Sequence, residues 1–152
     1  MNGRLNVTFT PTISLQLYVE PFISVGNYGA LKEFAAPGTF DFIEYGTDAG
    51  TIEETTSGSY EIDPDGVGAA PAFEIRNRDF SYRSLLGNAV FRWDWRPGST
   101  LFLVWQQRRI NRLAAGDHSG VGEFDLWRDA DAMFDFKPDN IFMVKMNYWL
   151  NP

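Results

Sequence analysis

The chain contains no cysteine, which excludes a disulfide framework and any thiolate-ligated metal centre. No apolar run approaches the ~20 residues that a membrane-spanning helix needs. Histidine occurs once, as His118 in the loop-like stretch Gly116-Asp117-His118-Ser119-Gly120. A catalytic triad needs a nucleophile and an acid beside the histidine, and nothing near His118 marks a nucleophile, so a solvated loop residue is expected. Basic residues are also scarce: 13 Lys and Arg stand against 20 Asp and Glu, a formal net charge of −7. Such a chain repels nucleic-acid phosphates, so DNA and RNA are not expected partners. No signal-peptide pattern precedes the first strand-like segment at Met1-Asn2-Gly3-Arg4.

Aromatic residues, by contrast, are abundant. They make up 16% of the 152 residues, with 13 Phe, 6 Tyr and 5 Trp. With 44% hydrophobic and 22% charged residues, the composition belongs to folded rather than disordered chains. The aromatic share suits two settings, the core of a soluble β-protein and the interfacial girdles of a membrane β-barrel.

Period-two alternation is clearest from Ile13 to Val25. Ile13, Leu15, Leu17, Val19, Pro21, Ile23 and Val25 share one face, and Ser14, Gln16, Tyr18, Glu20, Phe22 and Ser24 the other. Such a run is long for a soluble strand and suits a tilted spanning one. Pro21 cannot donate to a ladder, so a bulge or a loss of pairing is expected there. A shorter strand precedes it, with Leu5, Val7 and Phe9 on one face. A three-residue loop from Thr10 to Thr12 would set Phe9 opposite Ile13.

A second hairpin is predicted over Arg83 to Arg109, turning at Arg96-Pro97-Gly98-Ser99. Leu85, Ala89, Phe91, Trp93 and Trp95 line one face of its first strand, and Leu101, Leu103 and Trp105 one face of its second. A loop that pairs Trp95 with Leu101 and Trp93 with Leu103 keeps that face apolar. A last strand is expected from Asn140 to Leu150, with Phe142, Val144, Met146, Tyr148 and Leu150 on one side. Between these lie Gly26 to Arg78, where a short hairpin is expected with Phe40–Tyr45 and Ser59–Ile62 as its strand candidates, and Ile110 to Asp139, where Leu126, Ala130, Met133 and Phe134 have helical spacing.

The connections alternate between tight turns and long loops, the habit of outer-membrane barrels, whose periplasmic turns are short and external loops long. The expected fold is therefore all-β and antiparallel: residues 1–152 as a single segment, the C-terminal part of a transmembrane β-barrel. Five strands are too few to close a barrel, for which about eight is the minimum, so further strands and a periplasmic module are expected upstream. The competing fold is a soluble antiparallel sandwich that binds carbohydrate.

The segments Ser14 to Gly26 (SLQLYVEPFISVG), Asp79 to Arg109 (DFSYRSLLGNAVFRWDWRPGSTLFLVWQQRR) and Asn140 to Leu150 (NIFMVKMNYWL) resemble the C-terminal region of a family of bacterial outer-membrane barrels. Members of that family carry an N-terminal module similar to carbohydrate-binding module family 9, followed by a domain of unknown function numbered 5916. The resemblance implies a porin-like barrel and supplies no catalytic residues. The ending Tyr148-Trp149-Leu150-Asn151-Pro152 resembles a barrel-assembly signal.

On this reading Arg83, Arg92, Asp94, Arg108 and Lys145 face a lumen, where they tune passage or form a structural ion-pair network. Trp93, Trp95, Tyr148 and Trp149 sit at the membrane boundary near the tight turns. Exposed aromatics also bind sugar rings, which keeps a saccharide-binding surface open. Arg108, Arg109 and Arg112 would lie at an external mouth. The partners expected are outer-membrane lipid, the barrel-assembly machinery and a saccharide, and the location is the bacterial outer membrane. No motif with a catalytic mechanism is present, no cofactor is expected, and the chain is read as non-enzymatic. For a metal the sole candidates are Asp63 and Asp65, near Glu61 and Gly66. Their spacing departs from the full calcium-loop pattern, and Asp-Pro-Asp-Gly is also ordinary turn chemistry.

Overall fold

The structure, a computed structural model, describes residues 1–117 and 120–150. His118 and the last two residues of the resembled assembly signal, Asn151 and Pro152, lie outside the described residues. In chain order the elements are β1 (Gly3–Thr10), β2 (Ile13–Gly26), β3 (Lys32–Phe34), β4 (Phe42–Glu44), β5 (Thr51–Glu54), β6 (Ser59–Asp63), β7 (Phe73–Arg76), β8 (Phe80–Arg96), β9 (Ser99–Ala114), α1 (Leu126–Ala132) and β10 (Asp139–Asn147). Among the described residues the fold is all-β but for one short helix. The chain divides into two units, one of Met1–Ser24, Tyr82–Asn111 and Asp125–Pro152, the other of Val25–Ser81 and Arg112–Phe124.

The first unit holds a sheet in the order β1-β2-β8-β9-β10. The β1–β2 hairpin sets Val7 opposite Leu15 and Leu5 opposite Leu17, with a bulge between Thr8 and Thr10 that leaves Thr10, not Phe9, opposite Ile13. Beyond that bulge the register is the one the alternation requires, because a one-residue slip would turn every apolar side chain over. Pairing with β1 ends at Val19, two residues short of Pro21, and β2 continues through the proline to Gly26.

The β8–β9 hairpin differs from expectation by two residues. A Cβ placed on Gly87 would stand 4.0 Å from Gln107 Cβ, and Thr100 Oγ1 donates to Asp94 Oδ1 at 2.6 Å. Both observations fit one register, which puts Trp93 opposite Leu101 and Ala89 opposite Trp105. The cause lies in the turn. Gly98 takes φ 76°, a left-handed conformation that only glycine adopts freely, so the strand resumes at Ser99. An even offset leaves every side chain on its expected face.

On the far edge, β9 and β10 pair Trp105 with Phe142, Leu103 with Val144 and Leu101 with Met146.

The second unit is built on a three-stranded sheet, β5-β6-β7, and the small hairpin β3-β4. The strand candidates around Phe40–Tyr45 and Ser59–Ile62 are both strands, but not partners. Phe42 pairs with Phe34, and Ile62 with Ile52 and Phe73. Ile62 is fully buried, and Tyr45 packs edge-on to Phe73 while its hydroxyl donates to Glu33 at 2.7 Å.

Candidate functional site: a sheet with an uncovered apolar face

In a soluble sheet the apolar face is buried and polar residues face water. Strands β1, β2, β8, β9 and β10 depart from this, because their apolar face is uncovered. Their only buried residues are Ser81, Arg83, Ser84 and Ser99. Every apolar side chain on them is half-buried or exposed, and β10 is exposed throughout, with Phe142 at 75% and Val144 at 72%. Among the described residues of the whole chain, the buried hydrophobic side chains are Tyr45, Ile62 and Met133. None belongs to the five-stranded sheet.

The two faces of that sheet are chemically distinct. Alternation and the observed registers place Leu5, Val7, Leu15, Leu17, Val19, Leu85, Ala89, Phe91, Leu101, Leu103, Trp105, Phe142, Val144 and Met146 on one face, with Arg83, Gln107, Arg109 and Asn140 toward its loop end. Arg4, Asn6, Gln16, Tyr18, Asn88, Arg92, Asp94, Gln106, Arg108 and Lys145 occupy the other, mixed with Val90, Phe102, Val104, Ile141 and Met143.

Aromatic residues bound the apolar face at two heights. Toward the long loops Trp105 and Phe142 stack, with centroids 6.4 Å apart and planes at 12°. Toward the tight turns Trp93 and Trp95 meet edge-on at 6.3 Å, and Arg96 covers the Tyr148 ring at 4.1 Å. There Trp149 lies against Gly98 and donates its backbone N–H to Ser99 Oγ at 3.0 Å. All four sequence-predicted boundary aromatics thus gather at the turn end. Trp105 and Phe142, unmarked from sequence, supply the second row. Their signal was the spacing along two strands whose register had to be known first.

No family model, curated protein or solved structure matches this chain.

Four of the five candidate lumen charges share the polar face, and each has a partner. Arg92 pairs with Asp94 at 2.9 Å, Arg108 with Asp139 at 3.6 Å, and Lys145 Nζ stands 6.0 Å from the centre of the Phe102 ring. The exposed pairs contribute at most about 1 kcal/mol each.

Arg83 departs from the set. In the unbroken strand β8 it occupies an odd position, as Leu85 and Ala89 do, so alternation turns it to the apolar face and away from Arg92. It is nearly buried and gives Nη2 to Asp129 Oδ1 at 2.6 Å, with the Asp129 side chain fully buried. Arg128 Nε adds a contact to the same oxygen at 3.1 Å, and the backbone N–H of Asp125 donates to Asp129 Oδ2 at 3.1 Å. Asp129 sits on α1, a helix capped at Asp125, whose side chain accepts from the Arg128 N–H. The helix was legible from its apolar spacing, and Met133 at its C-cap is buried; within the helix the buried residue is the acid, while Leu126 and Phe134 stay exposed.

Burial pulls the Asp129 carboxyl upward. The hydrogen bonds from Asp125, Arg128 and Arg83, together with the Arg83 charge, outweigh this and hold it below its ordinary value of 3.8. A depressed carboxylate stabilises the fold above the ordinary value, and that stabilisation is lost as pH falls through the folded one. Amide protection in α1 is therefore expected to stay constant from neutral pH down to about 4 and to fall away below it. Hydrogen exchange across that range reads this directly.

Asp63 and Asp65 behave as turn residues. Asp63 Oδ1 accepts from the Gly66 N–H at 2.9 Å, and Asp65 accepts from Gly68 and Ala70 at 3.2 and 2.9 Å. The Ala70 bond leads those that lower the Asp65 carboxyl. Among the described residues no group of three or more His, Asp or Glu is placed to hold a metal ion.

Gly98 is tightly constrained. A Cβ there would fall 2.8 Å from Trp149 Cβ, at φ 76°. Gly98→Ala is expected to lower stability by about 1–2 kcal/mol from the backbone alone, seen as an earlier denaturation midpoint, with the Trp149 environment disturbed in fluorescence.

Proposed function

We propose that this chain is a segment of a bacterial outer-membrane β-barrel, its apolar face against lipid and its polar face toward the interior. The observation that carries the reading is that the apolar face of the five-stranded sheet is uncovered: none of its apolar side chains is buried, and the residues that are buried are Ser81, Arg83, Ser84 and Ser99. Two aromatic rows flanking the apolar band add to it. A sandwich needs its apolar face covered by a second sheet, and no strand of this sheet buries an apolar side chain.

Five strands form an open sheet, so the proposal requires further strands to close the barrel. It includes kinship with the outer-membrane family that the chain resembles, and a role in porin-like uptake or in anchoring a saccharide-binding module. It assigns no catalytic step.

The test is detergent dependence. The expressed chain is expected in the membrane or aggregate fraction, and to give a β-type circular dichroism spectrum only in micelles or vesicles. A folded monomer in aqueous buffer without detergent would overturn the reading.

A further inference from the structure

Arg83 and Arg109 both project from the apolar face of the sheet, as their odd positions in β8 and β9 require. Both hold the same segment. Arg83 grips Asp129 of α1, and Arg109 Nη1 donates to the carbonyls of Phe134 and Phe136 at 2.5 and 3.0 Å. Residues 129–136 are thereby tethered twice, on the same side of the sheet as Trp105 and Phe142 and further toward the loop end. Of the segment's apolar side chains Met133 is buried, and the Arg109 guanidinium also stands 5.8 Å from the centre of the Phe134 ring. Trp127 is 82% exposed, and Leu126 and Phe134 are exposed as well.

Arg109 lies four residues beyond Trp105, about 13 Å along the strand and about 9 Å in height at the usual tilt. With the Trp105 row at the edge of the hydrocarbon, the tethered segment falls at the outer side of the polar layer, which is ~5–8 Å thick on each side.

We infer that α1 is an interfacial anchor: Leu126, Trp127 and Phe134 rest in the headgroup region of the bilayer, held there by the Arg83–Asp129 pair and by Arg109. The occupant of this apolar surface is the lipid boundary, because the surface lies on the face that carries the apolar band and adjoins its upper aromatic row. The inference rests on the barrel reading, and the experiment separates the two.

Two single-tryptophan chains are reconstituted in phosphatidylcholine vesicles whose acyl chains carry bromine at shallow or deep positions. One keeps Trp127 and the other Trp105, the remaining tryptophans being replaced by Phe. Emission from Trp127 is expected to be blue-shifted from its value in water and quenched more by shallow than by deep bromines, with Trp105 quenched also. Quenching of Trp105 without Trp127 overturns the anchor and leaves the barrel standing. Quenching of neither overturns both.

Because the chain has no cysteine, Trp127→Cys labelled with an environment-sensitive fluorophore provides the same reading with the other tryptophans in place. Adding Asp129→Asn to that variant is expected to return the label's emission toward its value in water. An unchanged signal would overturn the tethering role of the ion pair.

Discussion

Asp129→Ala is expected to destabilise the attachment of α1 by about 3–5 kcal/mol, the loss typical when one member of a buried ion pair is removed. The carboxylate is fully buried and the Arg83 guanidinium nearly so, with 2.6 Å between them. Arg83 Nε already has no hydrogen-bond partner. Removing the acid leaves a desolvated cation against the apolar face with nothing to balance it, and that residual charge accounts for most of the loss. Replacing both residues together, Arg83→Met with Asp129→Leu, is therefore expected to recover most of it, since apolar side chains of similar volume carry no desolvation penalty. Hydrogen exchange in α1 and denaturant titration in detergent report the two effects. A cost below about 1 kcal/mol for Asp129→Ala would show a solvated, surface-type pair and would remove the basis for a fixed helix.

Much of the sheet was legible because alternation is a local signal. The rows of Ile13 to Val25 and the pairing of Leu5 with Leu17 follow from which side chains must share a face, and the β1–β2 register obeys them. What escaped depends on non-local geometry. The positive φ of Gly98 moved the second hairpin by two residues, a choice that turn residues alone leave open between neighbouring loop lengths.

Arg83 was placed with Arg92 by charge, although nine positions apart on one strand are opposite faces. Strict alternation carries the correct assignment, and the burial of Arg83 then requires a partner from elsewhere. That partner could not be read from the sequence. Asp129 lies 46 positions away, among Asp125, Asp131 and Asp135, and nothing local distinguishes the one acid that turns inward. The candidate lumen charges were legible as residue types, and their partners on the polar face followed once the register was known. Lys145 stands opposite Phe102, and Arg108 opposite Asp139.

The most discriminating expectation concerns a residue with almost no contacts. Val144 is 72% exposed in the middle of β10, opposite Leu103 and flanked on its face by Phe142 and Met146. In water, Val144→Arg replaces an exposed side chain with a soluble one. Substitutions at such sites change stability by no more than about 0.5 kcal/mol, and the charge would improve solubility. In a barrel the same position falls near the midplane of the apolar band, between the aromatic rows of Trp105 and Tyr148. An arginine there must leave water or snorkel to the headgroups, at about 2–4 kcal/mol. Arginine at Ile141, across the strand, meets the interior instead and is expected to cost little. The paired comparison of Val144→Arg with Ile141→Arg, read from urea unfolding in vesicles, thus measures which face meets lipid. Equal and small effects at both sites would mean that neither face is in a membrane. A large effect at Ile141 alone would invert the assignment of the two faces.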